Sequence, residues 1–446
     1  MSIRWSLAFR TWSLRTNRRT DVPSVMDAST PYFQETVNLD IYDKDVHAEV
    51  SLSEAGNIDV EVINSPQFGV SSEFSENIGA IGGTTLDGDG VEFSNVIVSL
   101  GLQSSRNKAS HRYISSLSPP SEIEIDGSGG YVSYEGEEVS VQFDVLGFKP
   151  FIPHNAVDEI ELINRDSWQV TASSVNEIDE RIDFIKSHKT LLRTAEVVVT
   201  LDIPGCISHQ VDQAREKLSD VLSLAGFVQG MGPNFVRGEV ISINGEPPDT
   251  VDNGIRFTKM WSTQGDIGGA FKSERLVWGN EFPQYLDVAY DNYDSYVQDE
   301  LQLRHVLGYY WDALNSTRPV EGRYLSVCSA IELLAKRYSD LFKQQSRTQD
   351  RIEYLVDELE VETDDLTDFA GTSDRAVSST YFYSYSRQYV VHGDNNLTWS
   401  ELRDDFEAAL TLLQRIIRNQ LVGPVEEESG FNELVDISPK GVVEFE

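Results

Sequence analysis

The chain has 446 residues, 40% of them hydrophobic and 10% aromatic, a composition that excludes a disordered or fibrous protein and, at roughly 100 to 200 residues per domain, leaves room for about two to four. Its 73 acidic side chains against 36 Lys and Arg give a formal net charge of −37, which argues against a broad nucleic-acid-binding face because phosphate backbones are held mainly by Lys and Arg. No apolar run reaches the ~18 residues of a membrane span, so a soluble protein without membrane contact is expected, and the two cysteines fit a reducing, cytoplasmic setting.

Residues 1–30 open with Arg4, Arg10, Arg15, Arg18 and Arg19 and no acid in the first twenty positions. The paired Arg18 and Arg19 precede no apolar core, so no secretory signal is read. A disordered basic tail is expected, with an RNA-tethering arm as the alternative. From 31 to 152 short apolar or β-branched runs alternate with turn residues: 46–52, 58–63, 91–100, 113–117, 123–125 and 139–146. Asp87-Gly88-Asp89-Gly90 and Gly127-Ser128-Gly129-Gly130 punctuate them as loops, and the whole reads as an antiparallel β domain. Neither glycine cluster has the strand-then-helix setting of a nucleotide-binding loop.

The pattern from 153 to 292 is mixed. A β-rich run at 195–203, a helical pattern at 209–227 carrying Val211, Leu218, Val221, Leu222 and Leu224, and a strand at 236–243 make an α+β segment. Gly226 and Gly230 bracket the helix end. From 293 to 423 the chain reads as helical. Val297, Leu301, Val306, Leu307, Tyr310, Trp311 and Leu314 form one amphipathic pattern. Arg318-Pro319 breaks it from a second, Tyr324 to Phe342, and a shorter helix is expected over 349–360. Thr398 with Glu401 is a capping-box sequence ahead of Leu402, Phe406, Leu410, Leu413 and Ile417. Segment 374–391 completes a bundle of four main helices if helical, although Ser379 to Val391 also suits a strand on local propensity. Residues 424–446 are an acidic tail, expected to be solvated. The fold class expected is thus α+β and multidomain, with an antiparallel β domain, a central α+β segment and a C-terminal all-α bundle.

Arginine outnumbers lysine by 25 to 11, and this acidic, lysine-poor composition resembles that of proteins from salt-accumulating halophiles. Cys206 and Cys328 are too few for a disulfide framework or a four-ligand zinc set. The seven histidines show no helical metal-ligand spacing, so neither metal nor other cofactor is expected. Trp168, Trp278 and Trp311 read as core residues. Chemistry is best sought where an arginine, a permanent cation able to grip phosphate, stands near a histidine, the side chain most readily poised to move protons. In three such pairs four to six residues stand between the arginine and the histidine: Arg106 with His111, Arg181 with His188, and Arg387 with His392. The first lies in a polar stretch of the β region and the second after a short charged helix. The third precedes Gly393, which can end a helix, and the capped helix from Thr398.

Ala330-Ile331-Glu332-Leu333-Leu334 in one long helix and Arg387-Gln388-Tyr389-Val390-Val391-His392-Gly393 before the last resemble the Apea-like branch of the HEPN superfamily, over about residues 297–422. A looser likeness extends to Leu218–Gly230. The resemblance implies a helical bundle, often a homodimer, in which Arg387 and His392 form a metal-independent endoribonuclease site of a defence or toxin system. It also implies Glu332 as a third member orienting Arg387 or His392, with a helix-boundary salt bridge as the other reading. Gln388 stands where active members frequently carry a smaller or charged polar residue, and its amide is expected to contact RNA. RNA is then the partner, met locally at the bundle, while the β domain receives a trigger or protein partner. The alternative is a non-catalytic HEPN interaction or dimerisation protein whose β domain binds a ligand or protein.

Overall fold

The computed structural model describes residues 28–41, 43–64, 76–104, 110–118, 120–127, 133–134, 138–150, 159–188, 190–230, 232–248, 256–261, 282–298, 303–315, 317–342, 348–363, 366, 386–393 and 398–422. The expected basic and acidic tails therefore fall almost wholly outside the described residues. The first part of the chain forms β1 (Pro31–Asp40), β2 (Asp45–Ser53), β3 (Ile58–Asn64), β4 (Glu76–Thr85), β5 (Gly90–Ser104), β6 (Ser110–Leu117), β7 (Glu122–Asp126), β8 (Ser133–Tyr134) and β9 (Glu138–Leu146). There follow β10 (Glu159–Arg165), β11 (Trp168–Ser174), α1 (Ile178–His188), β12 (Arg193–Asp202), β13 (Gly205–Cys206), α2 (Ile207–Gln229), β14 (Asn234–Ile243) and β15 (Phe257–Trp261). The C-terminal part holds α3 (Phe282–Gln298), α4 (Leu303–Leu314), α5 (Val320–Phe342), α6 (Thr348–Glu358), α7 (Ser386–His392) and α8 (Trp399–Val422). An α+β chain, with a large antiparallel sheet towards the N-terminus and helices towards the C-terminus, is what the structure shows.

Thirteen strands join one antiparallel sheet in the order β10-β11-β12-β9-β14-β15-β7-β5-β4-β1-β2-β3, with β6 on the far part of β5. The sheet joins strands from both sides of the boundary expected at 152, since β9 pairs on one side with β12 and on the other with β14. Asp87-Gly88-Asp89 turns β4 into β5, with Gly88 at φ +95°. Close approach rather than turn geometry calls for Gly83 in β4, since a Cβ there would overlap the Asn38 carbonyl of β1.

The middle strands serve two interiors. Val139, Val141, Phe143 and Val145 of β9 and Ala195, Val197, Val199 and Leu201 of β12 alternate inward to one core. Into it α2 lays Val211, Leu218, Val221 and Leu222, and α3, α4, α5, α6 and α8 add their apolar faces. This core runs unbroken through position 292. Buried hydroxyls tie its layers, Tyr285 donating to the Leu224 carbonyl and Tyr310 to that of Phe227, each at 3.3 Å. The second core joins Val37, Leu39, Val50, Phe93 and Ile125 of β1, β2, β5 and β7 to Leu146, Val236 and Met260 of β9, β14 and β15. The β1–β7 part of the sheet thus folds over its own middle strands.

Between those parts lies a buried charge cluster. Asp144 of β9, 2% exposed, accepts from Arg193 at 3.2 Å, Arg237 at 3.4 Å and the Tyr32 hydroxyl at 3.1 Å. Glu54, after β2, pairs with Arg193 at 3.6 Å and with Arg181 of α1 at 2.8 Å. Tyr32 and Phe33 of β1 lie under the two guanidinium groups, at 4.5 and 5.0 Å from the ring centres. Burial works against the charge on Arg193, but Asp144 and Glu54 outweigh it and raise its pKa; burial and Asp144 push the Tyr32 phenol well up. Removing one member leaves opposite charges stranded. Asp144→Ala should therefore destabilise the fold by about 3 to 5 kcal/mol, read as a lowered urea midpoint, because Arg193 and Arg237 stay buried without their shared carboxylate.

Candidate functional site

α8 carries the base of the site. Its start is a reciprocal capping box, in which the Thr398 N–H donates to Glu401 Oε2 at 2.7 Å and the Glu401 N–H to Thr398 Oγ1 at 3.3 Å. Leu402, Phe406, Leu410, Leu413 and Ile417 are buried on its inner side, against α5 and α3. Polar side chains on the same helix serve its neighbours: Arg415 donates to the Glu362 carbonyl at 2.7 Å and Asn419 to that of Leu359 at 2.8 Å, satisfying the end of α6.

α7 lies over this base, against α5. Residues 386–392 are helical and not a strand, and Gly393 at φ +70° closes the helix in the left-handed conformation. The rest of segment 374–391 lies outside the described residues. Seven residues cannot hold a helix in water alone, because nucleation costs more than so few hydrogen bonds return. Docking must supply the difference. Val390 packs on the main core, and the first residue, Ser386, is fully buried and donates through its hydroxyl to the Asp405 carboxylate of α8.

Arg387 and Glu332 are brought together. Their side chains meet at 3.5 Å between α7 and α5, with 28% of the arginine and 39% of the glutamate exposed. Under them lies Cys328, whose thiol burial pushes up to about 12 although Arg387 pulls the other way. His392, exposed, is the last helical residue. Because the helix persists to that point, Arg387 and His392 project about 140° apart and about 7.5 Å along the axis. The side chain of Gln388 lies outside those described. Val391 and Trp399, both exposed, flank the α7–α8 connection.

The other two arginine–histidine pairs separate from this one. Arg181 and His188 lie on α1 itself rather than after it. Arg181 is taken up by Glu54 and the Arg193 carbonyl, each at 2.8 Å, while the His188 ring stacks on Phe184 at 4.0 Å. Both groups serve packing. Arg106 falls outside the described residues, as does the side chain of His111. Trp168 is in the core and Trp311 packs against it; Trp278 is outside the described residues. Among the described residues no group of three or more His, Cys, Asp or Glu could hold a metal ion, and no helix is long and apolar enough to cross a membrane.

Comparison with models of protein families, with curated proteins and with solved structures finds no match in any of the three.

Sequence reasoning missed Ser386, Asp405 and Tyr324. Tyr324 of α5 is fully buried and in hydrogen-bond contact with Ser386. A signal for Asp405 was there: it falls three residues after Leu402 and four before Ala409, an acid inside the apolar stripe of α8. Loss of the cap at the start of that helix should be felt globally. Thr398→Ala removes the acceptor for the Glu401 N–H, and a destabilisation of about 1 kcal/mol is expected, measured by thermal or urea unfolding.

Proposed function

We propose that this chain is a metal-independent endoribonuclease of the HEPN type, working as a homodimer and controlled through its β sheet. The observation that carries the proposal is the pairing of Arg387 with Glu332 at a half-exposed junction of α5 and α7, on the same short helix that presents His392 to solvent. A guanidinium held beside a neighbouring helix and partly exposed to solvent is of the kind that binds phosphate. The reaction is attack of the ribose 2′-hydroxyl on the adjoining phosphorus, which breaks the bond to the 5′-oxygen and leaves a 2′,3′-cyclic phosphate and a 5′-hydroxyl end. His392 moves the protons and Arg387 neutralises charge gathering on the phosphate. A two-fold related copy would bring a second Arg387 and His392 to one cleft, offsetting their divergence on a single helix. The continuous core from β9 and β12 through α2 to α8 supports control by the sheet, since movement there is transmitted through packed side chains.

A second reading, a non-catalytic dimerisation or binding protein, is favoured by the 140° between the two positions on α7. Purified protein on total RNA in molar potassium chloride tests both. Cleavage should yield fragments ending in cyclic phosphate, persist in chelator, and fall roughly 100- to 10,000-fold in His392→Ala. Absence of cleavage in the wild type, or a rate unaffected by that substitution, would refute the enzyme, and loss of dimers with Arg387→Ala and His392→Ala would favour the binder.

A further inference from the structure

Below the exposed pair lies a buried polar chain that the reaction itself does not use. Asp405 of α8 is 1% exposed and accepts a hydrogen bond from the hydroxyl of Ser386, itself fully buried at the first position of α7. That hydroxyl also contacts the Tyr324 phenol of α5, which lies one turn before Cys328, and Cys328 in turn neighbours Arg387. Three helices therefore meet at one serine, the residue directly before Arg387.

Such an arrangement is costly as plain core. A carboxylate in an apolar stripe loses its hydration and is tolerated only when hydrogen-bonded, and Leu402, Phe406 and Ala409 around it would pack as well against an apolar side chain. What the carboxylate adds is direction. It sets where α7 begins and the rotation of its first residue, and on a helix that fixes the azimuth of every later position. With seven residues there is too little cooperativity to hold that azimuth otherwise.

We propose that Asp405 is a positioning residue for the Arg387 and His392 site, acting through Ser386 to lock the start and rotation of α7. Its catalytic consequence rests on the nuclease reading; the anchoring of α7 does not. Asp405 touches neither substrate nor reacting atoms.

The test uses the full chain and four variants, Ser386→Ala, Asp405→Leu, their combination, and Ser386→Thr, with amide hydrogen exchange read beside RNA cleavage. Loss of a hydrogen bond to a buried charged group should speed exchange of the Val390, Val391 and His392 amides by roughly tenfold to a hundredfold in either single variant. The double variant should be no worse than the singles, since they remove the same contact. Ser386→Thr should retain protection, and the α8 amides from Phe406 to Ile417 should be unchanged. Where RNA is cleaved, kcat should fall in step with lost protection while KM holds, and Ser386→Thr should restore it. Unchanged exchange at 390–392 in Ser386→Ala and Asp405→Leu would overturn the proposal, as would accelerated exchange spread equally through α8. A wild type that cleaves no RNA removes the catalytic reading alone, and the exchange results still decide the anchoring.

Discussion

A β-strand turns every second side chain to the same face, and β9 uses that rule to bind the molecule together. Val139, Val141, Phe143 and Val145 face the helices, while the reverse face meets the folded-over N-terminal strands through Asp144 and Leu146. A slip of one residue would send Asp144 into the helical core and strand Arg193 and Arg237 against apolar neighbours. Hydrophobic contacts tolerate small displacements, but a carboxylate shared by two guanidinium groups and a phenol does not. The cluster therefore specifies register where β1, β9, β12 and β14 meet, and the helices rest on the other side of strands held that way.

What could be read in advance follows from how local the cause is. The capping box of α8, the stop of α2 at Gly230 with φ +71°, and the helical stripe of α5 are short-range patterns, and each stands where its residues place it. The sheet is another matter. β1 carries Gln34, Glu35 and Thr36 and β4 carries Gly79, Gly82 and Gly83, so neither shows a clean apolar alternation, and both are strands because neighbours supply their hydrogen bonds. Helix α3 begins at Phe282, ahead of the pattern read from Val297, because Phe282, Tyr285, Leu286, Ala289 and Tyr293 form its buried side with tyrosines in place of leucines. At the candidate site Arg387, Glu332 and His392 could be named from the motif. Ser386 and Asp405 could not, because their significance lies in meeting across 19 positions of chain.

Burial sorts the arginines of this acidic protein by what they can do. Arg181, Arg193 and Arg237 are enclosed with carboxylates, and withdrawing one for a ligand would leave an uncompensated charge. Arg387 and Glu332 stand half in water, where an ion pair contributes roughly 0 to 1 kcal/mol. On the proposed function, a phosphate would compete with Glu332 for that guanidinium. On that proposal the weakness of the pair is what would make it serviceable, and the firmness of the site would come from the backbone of α7.

The charge of the chain sharpens this division. A net charge of −37 repels a polyanion at low ionic strength, and a Debye length of about 3 Å at molar salt removes most of that repulsion. The same salt weakens any long-range attraction to Arg387, so on the nuclease proposal capture of RNA would have to rely on short, directed hydrogen bonds. Those demand a guanidinium already aimed, because a side chain that must search for its partner loses in entropy what one contact returns. Buried anchors such as Ser386 with Asp405 are shielded from the screening that loosens the surface. On the nuclease proposal, orientation in a protein of this composition would have to come from the interior, while the exposed groups would supply only the chemistry.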